Sequence, residues 1–137
     1  MSCVLRASGK DFDVDDFLGD GKLEPLSIWR KGERRAQSAK PNETSGVRFE
    51  VSAAEFSNLP AQAKDALAFL QLHREWLRKL VAFPGVERVT ADFGTETKPP
   101  HWASFAFEPS LLAALGAAGI SLELSTYPVV EEQARNA

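Results

Sequence analysis

The chain has 137 residues, the length of one domain, and its 44% hydrophobic and 26% charged residues are those of an ordinary globular protein, not of a disordered or fibrous one. With 16 basic and 19 acidic residues the net charge is −3, which argues against a general nucleic-acid binder because phosphate neutralisation needs a basic surface. Cys3 is the single cysteine, so no intramolecular disulfide can form and the fold must rest on packing.

A free thiol without a partner fits a reducing compartment. The N-terminal residues lack the long apolar stretch of a signal peptide, and no window approaches the ~20 apolar residues of a spanning helix. The expected compartment is the cytoplasm, with no membrane attachment.

Val4, Leu5 and Ala7 mark residues 3–8 as a short strand ended by Gly9. Residues 13–18 form a short helix, with Asp13 as N-cap, acidic residues in the first turn and Gly19 as the stop. Residues 26–29 read as a second strand. Residues 31–46 are almost devoid of apolar side chains and are expected to form a long mobile loop. Residues 47–51 then alternate strictly between apolar and charged, as a strand with one buried and one wet face does.

Residues 59–83 carry the strongest helical periodicity, with Leu59, Ala63, Ala66, Leu67, Leu70, Leu77, Leu80 and Val81 on one face. Ser57 or Asn58 caps this helix, Pro60 sits in its first turn, and Pro84-Gly85 ends it. A strand over 89–93, a turn-rich loop over 94–100 and a returning strand over 102–107 read as a hairpin. A short apolar helix over 109–117 and a last alternating strand over 120–127 complete the order β-α-β-β-α-β-β-α-β. The expectation is an α+β fold: a mostly antiparallel sheet with helices on one face, and a ferredoxin-like β-α-β-β-α-β core extended by β-α-β. Residues 1–128 form one domain and 129–137 a flexible tail.

Four stretches together resemble something known: Asp15-Asp16-Phe17-Leu18-Gly19, Trp29-Arg30-Lys31-Gly32, Phe107-Glu108-Pro109-Ser110-Leu111-Leu112, and the closing run from Gly119 to Tyr127. They are similar to a bacterial domain-of-unknown-function family of small α/β proteins. The resemblance implies a bacterial cytoplasmic origin and no assigned activity. Some small bacterial families of this kind resemble immunity proteins encoded beside toxins, an analogy of context.

Residues 8–35 hold five aspartates, four glycines and a basic-aromatic end. Asp11, Asp13 and Asp15 alternate as the first ligands of a calcium loop do, but the sixth and twelfth positions hold Asp16 and Lys22 where Gly and Glu are needed. Helix capping accounts for these aspartates instead. Trp29, Arg30, Lys31, Arg34 and Arg35 form a candidate patch for an acidic protein partner, unless Trp29 faces the core and leaves only solvated charge. His73, between Leu70 and Leu77, reads as a buried neutral histidine bonded to a carbonyl or carboxylate. His101 and Trp102, with Glu96, are a candidate pocket rim, or an exposed hairpin. Two histidines and one cysteine far apart give no zinc site. The glycines at 116 and 119 follow a helix rather than opening one, so they terminate it and cradle no phosphate. No catalytic motif and no cofactor signature are present. The function expected is a non-enzymatic protein-interaction domain, immunity-type or regulatory, without specific nucleic-acid binding. The alternative is a small-molecule-binding domain or modest enzyme with its pocket at His101 and Trp102. Self-association through an edge strand at 120–127 is a third possibility.

Overall fold

The first strand of the chain becomes the centre of the sheet. In the computed structural model, which describes residues 1–19, 21–36 and 39–129, β1 (Cys3–Gly9) lies between β3 (Ser45–Ser52) and β4 (Arg88–Thr97), antiparallel to both. β2 (Ser27–Trp29) pairs antiparallel with the outer side of β3, and β5 (Ser121–Pro128) pairs parallel with β4. The strand order is β2-β3-β1-β4-β5, so the fold is α+β with a mostly antiparallel sheet. Among the described residues the helices are α1 (Val14–Leu18), α2 (Leu59–Leu72), α3 (Arg74–Ala82) and α4 (Pro109–Ala118).

Helix starts follow local chemistry. Asp13 Oδ1 accepts from the Asp16 amide at 3.1 Å at the head of α1, and Asn58 Oδ1 accepts from the Ala61 amide at 3.1 Å at the head of α2, with Pro60 in the first turn. Each bond satisfies an amide that the helix itself leaves without a partner. Gly119, with φ of 75°, closes α4 in the left-handed conformation that glycine adopts without strain.

Alternation along the strands sends Cys3, Leu5, Ala7, Val47, Phe49, Val89, Ala91 and Phe93 to one face, where Ala66, Leu70, Leu77, Leu80, Leu111 and Leu115 of the helices cover them. Trp76 meets Phe49 edge-on at 4.8 Å and Phe17 at 5.5 Å, which ties α3 to both β3 and α1. Gln62 of α2 is 0% exposed and donates through Nε2 to the carbonyls of Gly94 (2.7 Å) and Glu55 (3.3 Å). It fastens the second half of β4 and the loop before α2 to the helix layer.

Three expectations are corrected. Residues 94–97 continue β4, and residues 102–107 are not a strand. Phe105 and Phe107 point inward, Phe107 lying 5.3 Å from Phe93, but β4 has β1 on one side and β5 on the other, so the hairpin partner expected for 102–107 has no free edge. The helix expected over 59–83 breaks at His73, whose φ of −106° and ψ of 27° separate α2 from α3. The ladder is barely interrupted, since the His73 amide still donates to Phe69 and the His73 carbonyl still accepts from Leu77. Finally, the ring of half-buried His73 packs 4.6 Å from Phe69, not against a carbonyl or carboxylate. Of the expected tail, Val129 donates to the Thr97 carbonyl at 2.8 Å, and 130–137 lie outside the described residues.

Gln62→Ala is expected to lower stability by about 1–3 kcal/mol, because the buried Gly94 carbonyl and the part-buried Glu55 carbonyl lose their donor and a small cavity opens, partly offset by removal of the unpartnered Oε1; urea denaturation measures it, and a loss under half a kcal/mol would contradict the role assigned to Gln62. Burial, reinforced by Asp92 and Asp65, pushes the Cys3 thiol from 9.0 up to about 12. Between those values the unfolded chain ionises while the folded chain does not, so folding loses stability as pH rises. The stability advantage of the wild type over Cys3→Ala should therefore narrow above about pH 9.

Candidate functional site

The helices cover one side of the sheet only. On the other side, register builds two rows. Arg48, Arg6, Thr90 and Ser121 lie side by side across β3, β1, β4 and β5, and in the next row lie Glu50, Val4, Asp92 and Glu123. Arg6 spans the rows, with ion pairs to Asp92 at 3.6 Å and Glu123 at 3.1 Å, while Ser125 Oγ donates to Asp92 at 2.7 Å. Arg48 is different. It stands directly opposite Arg6, and its Nε is buried without a hydrogen-bond partner among the described residues. Like charges facing each other across a ladder are unfavourable, and an unsatisfied buried donor adds to that cost.

Trp29 belongs to this same open face. Its neighbour Ile28 pairs with Val47 and packs on the core, so alternation turns Trp29 the other way. The indole lies across Gly46, where a side chain would collide with the ring, and Nε1 donates to Thr44 Oγ1 at 3.2 Å. The indole is half-buried there. A second ring uses the same device at the far end of the face: Phe56 fills the space above Gly94 and meets Tyr127 edge-on at 5.6 Å.

The rest of the sequence-derived patch separates. Arg30 is bound by Asp15 through two bonds, Nε–Oδ2 at 3.1 Å and Nη2–Oδ1 at 2.8 Å. Asp15 of α1 and Arg30, which follows β2, thus neutralise one another. Lys31 donates its amide to Ser45 Oγ at 2.9 Å, and the loop it opens is closed by Gly32–Asn42 and Asn42–Glu33 backbone bonds of 2.9 and 2.8 Å. Lys31, Arg34 and Arg35 are exposed on this loop, which follows Trp29 in the chain. Sequence spacing points to Arg48, on the charge-rich outer face of residues 47–51, as a contributor to an interaction surface, but not to Arg6, which meets it only through strand pairing.

His101 and Trp102 follow the end of β4. His101 has φ of 67°, donates its amide to Lys98 at 2.6 Å, and places Nδ1 3.1 Å from Thr97 Oγ1. Trp102 is 90% exposed, so its ring walls no enclosed cleft. A groove of about 500 Å³ lies elsewhere, between α2–α3 and α4. Among the described residues no cluster of three or more His, Cys, Asp or Glu side chains is placed to hold a metal ion, and no helix is long and apolar enough to cross a membrane.

The Arg30 guanidinium holds the Asp15 carboxyl below its ordinary value of 3.8. The pair's contribution is therefore present above about pH 4 and is lost as pH falls through the folded value. Carbon-detected NMR titration should find Asp15 below the usual range, and Arg30→Gln should return it upward. An Asp15 midpoint unmoved by Arg30→Gln would contradict the pairing.

No curated protein and no solved structure matches the chain. A family model does, that of the domain of unknown function DUF4279, and it extends over residues 1–129, nearly the whole sequence. That span takes in all four of the stretches that carry the resemblance, and the chain belongs to the DUF4279 family.

Proposed function

We propose that this domain is a non-enzymatic protein-interaction module, immunity-type or regulatory in role, whose binding surface is the open face of the sheet. The observation that carries the reading is Arg48: an arginine set against a second arginine, with an unsatisfied buried Nε, in the row of the face adjoining the half-buried Trp29 indole. A carboxylate from a partner would offset the two facing positive charges and relieve the repulsion, and the indole beside them would supply apolar contact. Lys31, Arg34 and Arg35, exposed nearby, favour an acidic partner. The expected cytoplasmic setting suits such a role.

Affinity purification of the tagged protein from its native host, run in parallel with Arg48→Glu and Trp29→Ala, tests this. The wild type should retain a stoichiometric partner that both variants lose. Arg48→Glu should keep or raise the unfolding temperature, because it replaces a like-charge pair by an Arg6–Glu pair. No partner with the wild type, or equal recovery with Arg48→Glu, would sink the reading.

A further inference from the structure

The helix layer carries a second surface, on the side of the molecule away from the open sheet face. Leu77 and Val81 of α3 and Ala114 and Ala118 of α4 line the groove of about 500 Å³, and Arg74 and Arg78 stand on its rim. That volume lies inside the roughly 300–1,000 Å³ typical of clefts that hold small ligands. The groove exists because α4 presents alanines where it faces α3; longer side chains there would fill it.

The two arginines are four residues apart on α3, so their guanidinium groups rise from the same side of the helix, one turn apart. Arg74 has no carboxylate partner among the described residues. Arg78 has one long contact, 3.5 Å to Glu75, with both side chains largely exposed, which holds it weakly. An apolar trough with two available cations at one margin is complementary to a molecule with an apolar body and a single anionic head.

We propose that this groove binds a small amphipathic monoanion of the alkyl or aryl carboxylate class. The tail lies along Leu77, Val81, Ala114 and Ala118, and the carboxylate sits between Arg74 and Arg78. The site is independent of the open sheet face, so either can fail without the other.

Titration of the full chain with sodium decanoate, kept below its micelle concentration and followed by amide NMR, tests the proposal. Shifts should concentrate at the groove-lining residues of α2, α3 and α4. The surface double variant Arg74→Gln/Arg78→Gln should weaken binding by about tenfold or more, since both charge-assisted contacts are lost. Ala114→Leu, verified as folded by circular dichroism, should block it. Decyltrimethylammonium, with the same tail and opposite charge, should bind far more weakly. No shifts at millimolar decanoate, shifts centred outside the groove, or unchanged affinity in the double glutamine variant would overturn the assignment.

Discussion

Strand β1 is gripped on both sides, and its register with β3 and β4 decides where every charge in the sheet goes. With Leu5 opposite Phe49 and Ala91, the apolar residues of the three strands meet beneath the helices. The same pairing sets Arg6 beside Arg48 and Thr90 on the other side. A slip of one residue would carry Arg6 into the core and Leu5 into water, and neither would be tolerated. Because only one face has helices over it, the other must be stable as it stands. There the Arg6 bridge to Asp92 and Glu123, with Ser125 bonded to Asp92, links β1, β4 and β5.

The glycines of the open face explain its aromatic rings. Gly46 and Gly94 lie on the strands flanking β1, toward opposite ends of the face, and each leaves room for a ring to lie on the backbone, Trp29 over one and Phe56 over the other. In both places the missing side chain is replaced by an aromatic one that reaches in from elsewhere in the chain. The face is therefore neither purely polar nor a second core. It is a charged surface with an aromatic patch at each end, and Arg48 is the member whose bonding capacity the chain leaves incomplete.

Local chemistry made much of this legible. The Asp13 and Asn58 caps, the strict alternation of 47–51 and the Pro84-Gly85 stop are governed by neighbours in sequence, and each was readable for that reason. The break at His73 was not, because the apolar face of α2 continues into α3 and periodicity sees one unbroken stripe. The strand expected at 102–107 failed for the opposite reason: its alternation is real, with Phe105 and Phe107 directed inward, but pairing is decided by which edge is vacant, and β5 holds that edge. For the site, the acidic cluster and the basic-aromatic end are both visible in the sequence, whereas the Arg30–Asp15 bond that joins one member of each, and the Arg48–Arg6 opposition, depend on tertiary contacts. The groove is formed where α4 meets α2 and α3, with the whole of β4 between them in sequence, and no local pattern announces it.

The side of the sheet that Trp29 occupies decides whether the open face can serve as a binding surface. The chain's three tryptophans provide an internal scale, since Trp76 is 6% exposed, Trp102 is 90% exposed and Trp29 lies between them. Labelling all three with 5-fluorotryptophan and adding a soluble paramagnetic agent should broaden the fluorine resonances in a graded order, Trp102 most, Trp29 next and Trp76 least. A Trp29 resonance as protected as that of Trp76 would place the indole in the core and remove the open face as the binding surface.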